Sequence, residues 1–105
     1  MYVKFKVPFN FEGEEHEGVE LDFDRLTGDD IEKAVEILAA EKRPMGNSLP
    51  EFSKPFCAQM AAIAAKKPVE FIRGLPVREY VKVTIEAQNF LLDGVSEVGS
   101  TQPTQ

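Results

Sequence analysis

Four aspartates, Asp22, Asp24, Asp29 and Asp30, crowd one short stretch of the chain. Carboxylate oxygens are the ligands that hard cations such as Ca²⁺ and Mg²⁺ take. A second acidic run, EGEEHEG from Glu12 to Gly18, sets His16, the one histidine, among Glu14, Glu15 and Glu17. Histidine is the usual general base or metal ligand near neutral pH. Neither set has the spacing that such chemistry needs. The aspartates do not follow an EF-hand loop and lack the glutamate that closes one. They read instead as the start of a helix in which Thr27 is the N-cap, Asp30 is N3, and Leu26 and Ile31 are the N′ and N4 positions of a hydrophobic staple. Asp29 and Asp30 then meet the positive end of the helix dipole. Two carboxylates there repel an anion, so the same stretch is no phosphate site. Asp24 is left without a role. EGEEHEG reads as a polar, glycine-bounded turn that carries His16 in solvent.

No other stretch offers a nucleophile with its base, and no Walker loop, GxGxxG, HExxH or CxxC occurs. The lone Cys57 lies in an apolar helical pattern, where a free cysteine behaves as a small buried hydrophobe. The reading is of a protein that is not an enzyme and uses no cofactor and no metal. Its 105 residues carry a formal charge of −6, which repels the phosphates of nucleic acid. The longest apolar run, CAQMAAIAA, is far short of the roughly 20 residues that cross a bilayer. No membrane or nucleic-acid partner is expected, and the expected location is the cytoplasm.

The elements that would have to position any site follow from periodicity. Val3, Phe5, Val7, Phe9 and Phe11 alternate with polar residues, apart from Pro8, and Val19, Leu21 and Phe23 alternate with Glu20 and Asp22. This predicts a β-hairpin that bends or lies at an edge near Pro8. Ile31, Ala34, Val35, Leu38 and Ala39 mark one face of a first helix that Pro44 stops. After the turn-rich MGNSLPE, a second helix carries Phe56, Met60, Ile63 and Ala64 on one face, between Pro55 in its first turn and Pro68. VEFIRGLP predicts a single helical turn with Phe71, Ile72 and Leu75 inward. PVREYVKVTIEAQNFLLDG predicts a third long helix of about 18 residues from Pro76, with Gly94 as its C′, although YVKVTIEA within it also alternates like a strand. The expectation is a single α+β domain over residues 1–94, with an N-terminal β-hairpin followed by three α-helices and a short helical turn between the last two. Residues 95–105 are expected to form a flexible tail.

The ordered strings LTGDDI, FSKPFCAQMAAIAAKKPVEFIRGLP and VREYVKVTIEAQNFL resemble the small tail assembly chaperones of tailed bacteriophages and prophages. Within them the step P-x-E-x-I-x-x-L is Pro68, Glu70, Ile72 and Leu75, followed by Glu79-Tyr80 and the closing Q-x-F-L of Gln88, Phe90 and Leu91. The similarity covers roughly residues 19 to 92. The Lys66-Lys67 pair before Pro68 departs from the small residue usual in the family. The resemblance implies a non-enzymatic protein that binds the long helical tape measure protein during tail morphogenesis, with the tail tube protein and other copies of itself as further partners. It also implies a longer form made by ribosomal frameshifting in some phages. A minor structural or adaptor protein of the phage tail is the alternative. Phe71, Ile72, Tyr80 and Phe90 are the aromatic and aliphatic residues of the family-like half assigned to partner binding; core burial is the competing role for each.

Overall fold

The computed structural model describes residues 1–42 and 53–100, with side chains described through Gly94. Strands β1 (Tyr2–Phe11) and β2 (Glu14–Glu20) pair antiparallel. A 3₁₀ turn at Phe23–Arg25 leads to helices α1 (Gly28–Ala40), α2 (Lys54–Ala65), α3 (Val69–Arg73) and α4 (Val77–Ser100). The architecture is the expected α+β arrangement of a hairpin followed by helices. The predicted interhelical turn MGNSLPE and the stop at Pro44 lie outside the described residues.

The hairpin turns more tightly than the composition of EGEEHEG predicts. Only Glu12 and Gly13 form the connection, both with positive φ (53° and 84°). Two such residues match the right-handed twist of the flanking strands, which lets the acidic residues from Glu14 onward enter β2. His16 is therefore a strand residue rather than a turn residue. Phe23, expected at the end of the strand, is in the 3₁₀ turn.

The register is irregular. Lys4 faces Gly18 and Phe9 faces His16, so Phe5, Lys6, Val7 and Pro8 lie opposite Glu17 alone. The bulge falls where Pro8 cannot donate to the ladder. Its local bend also turns Val7 outward to 66% exposure, against the expectation of an inward face, while Phe5 stays buried.

Helix α2 is the centre of the molecule and packs against α1, α3, α4 and the hairpin. Ser53 caps it, its Oγ accepting from Phe56 N at 3.3 Å, and Pro55 sits in the first turn. Lys66 closes it in the left-handed region (φ 58°). The expected single apolar face is in fact burial almost all round, since Phe56, Cys57, Ala58, Gln59, Met60, Ala61, Ala62 and Ala64 are all buried. Alanine side chains are short enough for neighbours to approach on every side.

By contrast, α1 buries only Ala34 and Leu38 of its five expected core positions. Ile31, Val35 and Ala39 are exposed. At its start Asp30 Oδ2 accepts from the Thr27 N–H at 2.9 Å, so the helix-start reading of the aspartates holds, although Ile31 stays exposed while Leu26 packs on the core.

In α3, Phe71 and Ile72 are fully buried, with Leu75 inward beyond them. Around the Phe71 ring, Phe9, Phe11 and His16 lie edge-on at centroid distances of 5.3, 5.2 and 4.9 Å, Phe5 tilts at 6.5 Å, and Lys67 Nζ stands 5.4 Å away. Five groups from the hairpin and the α2–α3 connection thus converge on one side chain. Such edge-on pairs add to the area they bury.

Helix α4 runs through Gly94 to Ser100, so Gly94 is an interior helical residue and not the C′ terminator, and the helix replaces the first part of the expected tail. Gly94 does not have positive φ, and a Cβ built on it meets nothing within 4 Å. Gly94→Ala is therefore expected to stabilise the fold by about 0.5–1 kcal/mol and to raise the 222 nm ellipticity. A terminating Gly94 would give the opposite sign. Phe71→Ala should cost about 3–5 kcal/mol, read as a lowered urea midpoint, because it empties the hub between hairpin and helices.

Candidate functional site

The residues assigned to partner binding do not form one surface. Phe71 and Ile72 are core, with no exposed area, and are corrected from partner-binding to packing residues. A buried α3 ring enclosed by the hairpin has no face left for a partner. Phe90 is half-buried and stacks on Phe23 at 5.2 Å with an 18° interplanar angle. Tyr80 is half-buried against the core and lines a cavity of about 360 Å³ with Pro55, Arg73, Leu75 and Val77. Arg73 also forms an ion pair of 2.8 Å with Glu41, the residue after α1.

The acidic residues also separate. Asp29 and Asp30 stay at the α1 N-terminus, whereas Asp22 and Asp24 line a cleft with Glu86, Asn89, Phe90 and Asp93. Asp24, without a role in the sequence, belongs to this cleft. Among the described residues no group of three or more His, Cys, Asp or Glu side chains is placed to hold a metal ion. His16 is mostly enclosed, its Nε2 3.7 Å from Glu14 and its ring against Phe71.

An exposed apolar stripe lies elsewhere, on the outer side of α4 beside β1. Val77, Val81 and Ile85 recur at i, i+4 and i+8, and they are 79%, 42% and 37% exposed. Side chains at that spacing share one helix face. A groove of about 380 Å³ between this stripe and β1 is lined by Met1, Tyr2, Val3, Lys4, Val81, Lys82, Ile85 and Glu86. A second hollow of about 290 Å³ follows at Lys6, Val7, Pro76, Arg78 and Glu79. Tyr2 and Val7 add exposed apolar area from the strand.

The helix and strand that wall this surface are joined by a polar latch. Glu79 Oε2 accepts from Lys6 N at 3.0 Å, Glu79 Oε1 pairs with Lys82 Nζ at 2.9 Å, and Lys82 Nζ donates to Lys4 O at 3.0 Å. These two side chains bind backbone groups of β1, the Lys6 amide within the bulge and the carbonyl of Lys4 just before it. Glu79 is 3% exposed, while Lys82 reaches solvent. The hydrogen bond from Lys82, then that from Lys6 N, holds the Glu79 carboxyl below the ordinary glutamate range; the charges of Lys82 and Arg78 act the same way.

Sequence reasoning missed Val77, Val81, Ile85 and Glu79. The signal was present for the first three: α4 carries an inner apolar set of Val83, Ala87 and Leu91 and also this outer one, more than one packing face requires. For Glu79 the sequence showed only the i, i+3 spacing to Lys82, since its other partner, the Lys6 amide, is a backbone group distant in sequence.

No family model matches the chain, and neither do any curated protein or solved structure. Among the described residues no helix is long and apolar enough to cross a membrane.

Because the folded Glu79 titrates below its ordinary value of 4.5, its contribution is fully present above that pH and disappears as pH falls through the folded pKa. Glu79→Gln should therefore lower stability by about 1–3 kcal/mol at pH 7. Denaturant titrations of the two proteins should converge as pH falls below about 4.

Proposed function

We propose that the protein is a non-enzymatic tail assembly chaperone of a tailed bacteriophage or prophage, acting in the host cytoplasm, and that it binds the tape measure protein while the tail is built. The observation that carries this reading is the exposed Val77, Val81 and Ile85 stripe on α4, set beside a groove and backed by a rigid core. A row of aliphatic side chains at helical spacing is what an amphipathic helix needs to cover its own apolar face. A long helical protein that must stay soluble before assembly presents many such faces. Exposed apolar area grouped in this way on a small domain marks a protein interaction site.

Co-expression with a helical fragment of the tape measure protein should keep the fragment soluble and yield a complex on size exclusion. Val81→Asp combined with Ile85→Asp should remove the complex while leaving the circular dichroism spectrum unchanged, since neither position is core. An insoluble fragment with no complex for the unmodified protein would overturn the proposal. Mass spectrometry of purified particles should find the protein absent from mature tails; its presence there would make it a structural tail component instead.

A further inference from the structure

The charges around the α4–β1 groove are opposite to those of the chain as a whole. Lys4 and Lys82 line the groove and Lys6 and Arg78 line the adjoining hollow, against the carboxylates of Glu79 and Glu86. This is a local excess of cations on a chain of net charge −6. Glu79 is buried and already engaged by Lys82 and the Lys6 amide. Lys4, Lys6 and Arg78 form no ion pair among the described residues, and with Lys82 they line the β1 side of the apolar stripe.

We propose that this surface binds an amphipathic helix whose apolar face is bordered by acidic residues along the edge that meets β1. The inference rests on the reading of the protein as a helix-binding chaperone and specifies which helices it takes and where. Two features select a helix over an added strand. The outer edge of β1 is occupied at Lys4 and Lys6 by the Lys82 and Glu79 side chains, so a strand finds no free ladder there. The stripe from Val77 to Ile85 extends about 12 Å along α4 as an i, i+4 ridge, the geometry that a second helix meets with its own ridges. The basic residues then select the partner by sign. They attract acidic flanks and repel basic ones, which sets specificity and association rate more than total affinity. Screening limits this steering to roughly 8 Å at physiological salt.

The test uses two synthetic 21-residue helical peptides with the same leucine face (~3 heptads), one flanked by glutamate and one by lysine, and fluorescence anisotropy with the full chain. The glutamate peptide should bind about tenfold more tightly at low salt, against the net charge of the protein, and the difference should shrink at high salt. Lys4→Glu with Arg78→Glu should reverse the preference, with folding checked by circular dichroism. Amide shifts on titration with the glutamate peptide should cluster at Tyr2–Val7 and Val77–Glu86. Equal binding of the two peptides, preference for the lysine peptide, no binding, or shifts mapping to α1 would each overturn the inference. If a tape measure complex forms but ignores the double charge reversal, the chaperone reading stands and this surface assignment fails. If the peptides behave as expected but no tape measure complex forms, the surface stands and the chaperone reading fails.

Discussion

The packing of Phe71 is the contact on which the rest of the molecule depends. A two-stranded hairpin is marginal in water and must have its apolar face covered. Here a central part of the cover is one aromatic ring on a five-residue helix, touched by Phe5, Phe9, Phe11 and His16 from the hairpin and by Lys67 from the chain entering α3. So short a helix would not persist alone, because nucleation costs more than one turn returns. Hairpin and α3 therefore stabilise each other. Both rest on α2, whose alanines admit close neighbours on nearly every side.

A second constraint fixes how the hairpin is oriented. Glu79 and Lys82 of α4 bind the backbone of β1 at Lys6, one of four residues opposite a single residue of β2, and at Lys4, the last paired residue before them. A buried carboxylate is tolerated because it accepts from an amide and pairs with an ammonium at once. The latch also sets the spacing between β1 and α4. The groove beside Val81 and Ile85 runs along this contact, with Lys4 and Lys82 in its wall.

Local signals were legible where a residue's neighbours in sequence decide its state. The Thr27 and Asp30 helix start and the Pro55 first turn of α2 follow from short-range rules. The candidate surface was only half legible. The doubled apolar pattern of α4 was in the sequence, but which half faced water depended on the position of α2. The aromatics of the family-like half drew attention as partner anchors, yet Phe71 is buried because the hairpin, far away in sequence, closes over it. Gly94 carried a stop signal that the helix passes through, since glycine's preference for ending helices is a propensity of about 1 kcal/mol and not a prohibition.

The sequence by itself determined the α+β class, the order of the elements, the acidic net charge and most of the core. Period-two and period-3.6 patterns and capping residues act locally, so a single chain suffices to read them. Only the tertiary structure decided that EGEEHEG is mostly strand, that Val7 points outward, that α2 is buried all round, and that Glu79 joins α4 to β1. Each of those outcomes turns on a contact between residues far apart in the chain. Such pairings leave no periodic trace, because the satisfied atoms are mainly backbone amides and carbonyls that every residue carries.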